Sequence, residues 1–171
     1  HKWSVENIGE FWSRSWDRCG LIGDKGDHSF TPSDYFPNSK FFAEAKINVA
    51  ENLLSNGADH EIAIIEVDES DSSREITYGQ LRSAVAACAA ALRAIGVNPG
   101  DRVAAWTPNN SEAAVLAIAA LSIGAVVSTA SPDFAPSAVH DRFGQIEPKF
   151  LLACSSYSYN GKSFNCIEKL D

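Results

Sequence analysis

Cysteine, histidine and methionine are scarce in this sequence, which narrows the kinds of protein it can be. Its 171 residues include four cysteines, four histidines and no methionine. The cysteines, at positions 19, 88, 154 and 166, form no CxxC pair, so we predict reduced thiols in the cytosol rather than a disulfide framework. No histidine has a partner at the spacing of metal ligands, so we predict no metal site.

The sequence also lacks an excess of positive charge and a long uninterrupted apolar run. It has 22 acidic and 14 basic residues, a formal net charge of −8. Because the phosphates of nucleic acids and anionic membranes would be repelled, we predict neither as a partner. The longest apolar stretch, residues 113–130, is interrupted by Ser122, Gly124 and Ser128. It is therefore interpreted as a buried helix leading into a buried strand, and not as a membrane span.

What is present is an ordinary globular composition, with 45% hydrophobic and 21% charged residues. A chain of this length can bury the core of one domain, or of a large piece of one. It begins at His1 without a methionine, and residues 167–171 resemble the first turn of an unfinished helix. We therefore expect the chain to be part of a longer protein.

The first third of the sequence predicts helices joined by an irregular segment. A helix is expected over residues 3–20, capped by Ser4, with a stripe of tryptophans that must pack against another element. Residues 23–37 are rich in glycine, aspartate, serine and proline, which predicts an irregular surface connection. A short helix over 48–57 follows, with Asn48 as its cap.

From residue 61 onward, strands and helices are predicted to alternate. The β-branched run 62–67 suits a strand buried on both faces, and 68–74 is expected to be a polar turn. Thr77 and Gln80 form a capping box that opens the next helix. One face of that helix carries Leu81, Val85, Cys88, Leu92 and Ile95.

The rest of the sequence continues the alternation and predicts the fold class. Strands are expected over 102–106, 125–128 and 149–154. Residues 108–111 are expected to lead into an Ala-rich helix that runs through Ser122, and a further helix is expected over 136–146. Short connections between them predict an α/β fold, a mostly parallel sheet flanked by helices with right-handed crossovers.

Several short motifs are spread over nearly the whole chain, and they begin at Phe11, Asn48, Thr77, Gly100, Ser131, Asp141 and Tyr159. Three of them are Ser-Pro-Asp-Phe, Asp-Arg-Phe-x-Gln-Ile and Tyr-Asn-Gly-Lys. The motifs resemble those of the acyl-adenylate-forming ligases, and these three point to the acetoacetate-activating branch of that family over its acetate relatives. The resemblance implies a helical leader over residues 1–57 and the first part of the AMP-binding large domain over 58–171.

The resemblance implies an acid–thiol ligase that converts acetoacetate, ATP and coenzyme A to acetoacetyl-CoA, AMP and pyrophosphate, with Mg²⁺. Such chemistry needs a Ser/Thr/Gly-rich loop ending in lysine to hold phosphates, and the sequence has none. The family's adenine-binding motif, Mg²⁺-binding acidic residue and catalytic lysine are expected beyond residue 171. We therefore predict no catalytic residue here and no activity of the chain alone.

Two other functions remain open from the sequence. One is a ligase for acetate, propionate or another short acid. The other is a non-catalytic module that binds coenzyme A, or that self-associates through the open edges of its sheet.

One motif is a candidate ligand site: Tyr159, Asn160, Gly161 and Lys162. The resemblance aligns it with a segment that contacts the nucleotide end of coenzyme A through basic side chains. Lys162 would then meet the 3′-phosphate, and Tyr159, where relatives carry a second basic residue, would stack on adenine or pack. The residues alone equally suit a tight Asn-Gly turn with a solvated lysine, and both interpretations stay open.

Other residues are interpreted as structural. Asp133 follows a strand at the sheet end where ligands bind, but is predicted to form a turn and to cap the next helix. Ala135 stands where the family has glycine, which leaves the shape of that turn in question. His140 and Asp141 are predicted to be surface residues, and Arg142 is predicted to pair with neighbours of Asp141 or with a sheet-edge carbonyl. The acidic group Glu66, Asp68, Glu69 and Asp71 is interpreted as a solvated turn.

Overall fold

The computed structural model describes residues 1–69 and 72–167 and arranges them in two units. One comprises His1–Asn52 and the other begins at Leu53. The domain boundary between residues 57 and 58 stays a prediction. No helix in the described ranges is long and apolar enough to span a membrane.

The first unit contains short helices and two small antiparallel strand pairs. β1 pairs with β4 and β2 pairs with β3, so the segment expected to be irregular contains some regular pairing. The elements are α1 (Lys2–Glu6), α2 (Ile8–Arg18), β1 (Gly23–Asp24), β2 (Phe30–Thr31), a 3₁₀ turn (Phe36–Asn38), β3 (Lys40–Phe41) and β4 (Lys46–Ile47). The next helix, α3 (Val49–Leu54), begins in this unit, and its last two residues belong to the other.

The single N-terminal helix that we predicted is two helices, broken at Asn7. Asn7 has φ −126° and ψ 54°, and its side-chain amide donates to the carbonyl of Trp3 at 3.2 Å. Such a local bond competes with the helical backbone pattern and favours an interruption. Ser4 does not cap: it lies within α1, and its hydroxyl donates to the carbonyl of His1.

The tryptophan stripe of α2 packs inside its own unit. The ring of Trp16, only 9% exposed, lies 5.0 Å from the ring of Phe42. Trp12 meets Phe41 edge to face at 5.9 Å. Aromatic pairs at these separations hold α2 against the strand pair that follows it.

The second unit contains the predicted parallel sheet, which confirms the α/β fold class. β7 lies between β8 and β9 and is parallel to both. The elements are β5 (Ile62–Val67), β6 (Ser73–Thr77), α4 (Tyr78–Ala94), β7 (Arg102–Trp106), α5 (Ser111–Ser122), β8 (Val126–Ala130), α6 (Pro136–Gly144), β9 (Phe150–Ala153), β10 (Ser156–Tyr159) and β11 (Lys162–Asn165).

The sequence predicted the strand β5 correctly but predicted its burial wrongly. β5 is not buried on both faces, because Ile62, Ile65 and Val67 are 47%, 61% and 63% exposed. It forms an antiparallel hairpin with β6, and the register shifts between Ile62 and Ile64. The segment expected to be only a polar turn therefore contains the start of β6.

Two hydrophobic clusters cover opposite faces of β7. Val103 and Ala105 pack with α4 and α5, whereas Ala104 and Trp106 pack with α6. Because successive residues of a strand point to opposite faces, α5 and α6 lie on different sides of the sheet. This is expected when β8 and β9 flank β7 and both crossovers have the same hand.

The capping box that opens α4 is confirmed. Gln80 N–H donates to the Thr77 hydroxyl at 3.3 Å, and the Gln80 side chain accepts from Thr77 N–H at 2.9 Å. The buried face of α4 includes Leu81, Val85 and Leu92, as predicted. Ile95 does not belong to it, because it lies at the C-terminal cap and is 56% exposed.

Two helices end a few residues before the positions that the sequence predicted. α3 ends at Leu54, before Gly57, where the sequence predicted the stop. Gly57 has φ +72°, and a Cβ there would lie 2.4 Å from the Tyr78 ring, so the position needs glycine. α6 ends at Gly144. Of the incomplete terminal helix that we predicted, residues 168–171 lie outside the described part of the chain.

A charged contact joins the starts of β7 and β9. Lys149 Nζ donates to Asp101 Oδ2 at 3.1 Å and to the carbonyl of Gly96 at 2.5 Å. The hydrogen bond from Asn98 N–H, followed by that from Lys149, lowers the pKa of Asp101 below its ordinary value. This contact fixes where the two parallel strands begin.

Candidate ligand site at the hairpin of residues 156–165

Tyr159–Lys162 forms the tip of the β10–β11 hairpin. Tyr159 pairs with Lys162 across the strands, and Asn160 and Gly161 form the two-residue loop. Both loop residues are left-handed, with φ of 51° and 69°. That geometry is a type I′ turn, in which asparagine and glycine are favoured. Tyr159 is 64% exposed and Lys162 is also exposed, so both side chains are open to solvent.

The turn is held by a carboxylate from a distant part of the chain. Glu69 accepts hydrogen bonds from Asn160 N–H at 2.9 Å and from Gly161 N–H at 3.2 Å, one on each oxygen. Two adjacent backbone amides aimed at one anionic group make an anion-binding turn. Glu69 occupies that position, so its carboxylate would compete with a ligand phosphate for these two donors.

We predicted that Glu69 belongs to a solvated acidic turn. That prediction did not include its hydrogen bonds to the hairpin turn. Its partners lie 91 and 92 positions away, so no local pattern could reveal them. Asp71, predicted to belong to the same turn, lies outside the described residues.

A cleft of about 500 Å³ lies beside the hairpin. It is lined by residues 66–69, 108–110 and 156–158, which come from the end of β5, the loop before α5, and β10. Tyr157 stacks on Phe164 at 5.1 Å between centroids, which stiffens the hairpin wall. Glu69, which accepts hydrogen bonds from the candidate turn, is part of the lining of the cleft.

A second acidic residue of this group, Glu66, binds the start of α5. Glu66 Oε2 accepts from Ser111 N–H at 3.0 Å and from the Ser111 hydroxyl at 2.6 Å. Ser111 is only 3% exposed. A carboxylate at the first helical residue also interacts favourably with the helix dipole. The Asn110 side chain, which accepts from Ala113 N–H at 3.0 Å, completes the cap.

An ion pair lies next to this cap. Arg74 donates to Glu112 Oε1 at 2.8 Å, and this bond is the main cause that lowers the pKa of the Glu112 carboxyl. Both side chains are more than half exposed, so the pair contributes little to stability. The ion pair links β6 to the exposed side of the N-terminus of α5.

A second cavity, of about 390 Å³, lies at the carboxyl ends of β7 and β8. Its polar lining comes from Thr107, Asn109 and Ser131, and small alanines of α5 form its floor. The chain leaves these two strands toward opposite faces of the sheet, and open α/β sheets bind ligands at such a switch point. Trp106 Nε1 donates to the Ser131 carbonyl at 3.0 Å and holds the rim.

Asp133 lies in a turn, as predicted, but it does not cap α6. The N-cap is Ala135, with no side-chain cap bond, and a proline follows it. Ala135 has φ −61° and ψ 144°, which any residue adopts, so alanine in place of glycine causes no strain. The turn itself is closed by Phe134 N–H donating to the Ser131 carbonyl at 3.2 Å.

The remaining candidates lie on the surface. The side chains of His140 and Asp141 are 88% and 82% exposed, and the two lie 4.0 Å apart. Arg142 stacks over the Phe134 ring at 5.0 Å, a contact that the sequence did not predict. Within residues 1–69 and 72–167 no three His, Cys, Asp or Glu side chains cluster as metal ligands.

Residues 54–170 match the family of AMP-binding enzymes. Acetoacetyl-coenzyme A synthetase of Rhizobium meliloti (strain 1021) is 43% identical over 162 residues, which cover 95% of this chain and 25% of that protein. Malonamoyl-CoA synthetase of Penicillium aethiopicum is 36% identical over 176 residues, which cover 99% of this chain and 24% of that protein.

A solved structure shows the same fold. Acetoacetyl-CoA synthetase from Streptomyces lividans superposes with a TM-score of 0.91 at 33% identity, covering 99% of this chain and 27% of that one. The chain thus spans about a quarter of the length of the relatives it matches. With a family match over most of its length, this chain belongs to the AMP-binding enzymes.

Proposed function

We propose that the chain is the N-terminal part of an ATP-dependent ligase that joins acetoacetate to coenzyme A. The observation that carries the proposal is its 43% identity, over 95% of its length, to a relative named acetoacetyl-coenzyme A synthetase. The TM-score of 0.91 to a second enzyme of that name supports it.

The residues present do not fit the phosphates of ATP or a Mg²⁺ ion. The sequence has no Ser/Thr/Gly-rich loop ending in lysine. The described residues also hold no cluster of three metal-ligating side chains. We therefore assign no adenylation step to these residues, and we expect this chain alone to release no AMP.

We infer that Tyr159, Asn160, Gly161 and Lys162 form part of the coenzyme A site. The exposed Lys162 ammonium suits the 3′-phosphate, and the exposed Tyr159 ring suits stacking on adenine. Glu69 opposes this binding, because its carboxylate occupies both turn amides and repels a phosphate. The cleft beside β10 offers space for the rest of the ligand.

A second candidate is a ligase for a different short-chain acid. It is favoured by the 36% identity to a malonamoyl-CoA synthetase over 99% of the chain.

We also infer a cytosolic location from the acidic net charge and the unpaired thiols of the chain. Division into a leader (residues 1–57) and a first part of the large domain (58–171), and self-association of the chain, remain proposals.

An activity assay on the product of the complete reading frame tests the ligase proposal. The protein is incubated with ATP, coenzyme A and acetoacetate, acetate or propionate, and released AMP is measured. We expect acetoacetate to give a kcat/KM at least about ten-fold above the other two acids, as pocket fit typically allows. Equal rates with acetate would favour the alternative ligase, and no AMP with any acid would contradict ligase function.

Calorimetric titration of the chain with coenzyme A and with dephospho-CoA tests the binding site. Lys162→Ala is expected to weaken coenzyme A binding about five-fold, as for an exposed ion pair, and to leave dephospho-CoA unchanged. Glu69→Gln should strengthen coenzyme A binding by a similar factor, because it removes a repulsive charge. Lys46→Ala, at an exposed lysine of β4, is the matched control.

Equal binding of the two ligands would place the 3′-phosphate elsewhere. If neither ligand bound at millimolar concentration, residues 159–162 would be a structural turn only. Neither outcome bears on the activity assay, so failures of the two proposals are distinguishable.

A further inference from the structure

Two cysteines flank the β10–β11 hairpin. Cys154 follows β9 and precedes β10, and Cys166 follows the last residue of β11. Their Sγ atoms lie 3.7 Å apart. Cys166 is 1% exposed and Cys154 is partly exposed, so one thiol is buried and the other is accessible.

The backbone holds both cysteines at the base of the hairpin. Cys166 N–H donates to the Ser155 carbonyl at 2.8 Å, continuing the strand pairing by one position. Cys154 N–H donates to the Trp106 carbonyl at 3.1 Å, which anchors it to the end of β7. The two backbone hydrogen bonds therefore hold the main chains of both cysteines at the base of the hairpin.

We propose that Cys154 and Cys166 are a reversible disulfide site that takes a low-molecular-weight disulfide as its oxidant. A disulfide needs a sulfur separation of about 2.05 Å, and small rotations of two side chains supply the approach from 3.7 Å. The bond would close the base of the hairpin that carries Tyr159–Lys162. This inference does not rest on the proposed function.

The reaction is a two-step thiol–disulfide exchange. The accessible Cys154 thiolate attacks one sulfur of the oxidant and expels a small thiolate, forming a mixed disulfide. Cys166 then loses its proton and attacks Sγ of Cys154, which expels the second small thiolate. Two protein thiols are oxidised to one disulfide, and the oxidant is reduced to two thiols that take up both protons.

The other two cysteines have different surroundings. Cys19 is exposed next to the end of α2. Cys88 lies partly buried on α4, and burial raises the pKa of its thiol, which disfavours the reactive thiolate. The pair of Cys154 and Cys166 is therefore expected to form ahead of any other.

Mass spectrometry after treatment with glutathione disulfide tests the proposal. Trypsin cleaves after Lys162, between the two cysteines, so a disulfide leaves peptides 150–162 and 163–169 joined. We expect most of the protein to yield this joined pair, and dithiothreitol to separate it. The double variant Cys19→Ser/Cys88→Ser should give the same result, and Cys166→Ser should stop at a mixed disulfide on Cys154.

A parallel reaction in concentrated urea shows whether the fold selects the pair. The proposal is supported if the joined peptides dominate in the folded protein and are one of several products in urea. It is overturned if glutathione remains on Cys154 in the wild type, or if cross-links to Cys19 or Cys88 are as frequent in the folded protein. As a second readout, oxidation should slow hydrogen exchange of the β10–β11 amides.

Discussion

Leu92→Ala is expected to lower the free energy of unfolding of the chain by about 3 kcal/mol, within the range for deleting a buried leucine side chain. Leu92 is 2% exposed and lies in the cluster between α4, α5 and β7. Truncation removes apolar contacts and leaves a cavity that the rigid sheet cannot fill. Urea denaturation followed by circular dichroism measures the change.

Ile95→Ala is the matched control for this experiment. The helical spacing of the sequence places Ile95 on the same face as Leu92, whereas in the structure Ile95 is 56% exposed beyond the end of α4. We expect its replacement to change stability by no more than about 0.5 kcal/mol. Similar losses for both variants would contradict the helix end at Ala94.

Glu66→Ala is expected to lower the free energy of unfolding by about 2 kcal/mol. The substitution leaves the N–H of Ser111, which is 3% exposed, without its carboxylate acceptor. The Ser111 hydroxyl loses its shorter bond of 2.6 Å and keeps the carboxylate of Glu112 at 3.3 Å. A buried donor that loses its partner costs about 1–3 kcal/mol. The measurement is again urea denaturation, with Glu75→Ala, at an exposed position of β6, as the control.

A double-mutant cycle tests the assignment to Ser111. If the bond between Glu66 and the Ser111 hydroxyl carries part of the loss, Glu66→Ala should cost less in a Ser111→Ala background than in the wild type. Additive losses would show that Glu66 acts through other contacts. Equal effects of Glu66→Ala and Glu75→Ala would contradict a specific role for Glu66 at the α5 cap.

The parts of the fold that depend on local patterns were predictable from the sequence. The capping box of Thr77 and Gln80, the Ala-rich α5 and the strand β7 each have a signal within about a dozen residues. The alternation of these elements also predicted the parallel sheet, because parallel strands need long crossovers.

The predictions were wrong where contacts that the sequence pattern does not reveal determine the structure. The run 62–67 has the composition of a fully buried strand, but β5 pairs with β6 in a hairpin and Ile62, Ile65 and Val67 are exposed. Ser4 and Asn7 both suit helix caps, and only the bond from Asn7 to Trp3 shows that α1 ends there. Composition alone does not separate these alternatives.

The candidate site was likewise predictable from the sequence only where a local pattern determines it. The Asn160-Gly161 dipeptide predicted a tight turn, and the structure contains a type I′ turn at that position. Glu69 and the approach of Cys154 to Cys166 depend on how the strands are placed in space. Whether the turn meets coenzyme A stays a prediction, which the titration above decides.

The position of β7 has a consequence for the order of folding. The hairpins β5–β6 and β10–β11 pair residues close in sequence and can close on the microsecond timescale. Val103, by contrast, pairs with Val127 on one side and Phe150 on the other, so long stretches of chain must be brought together first. Loop closure of this kind costs entropy before any contact compensates for it. The hairpins should thus be present early, and docking of β8 and β9 onto β7 should limit the rate of refolding.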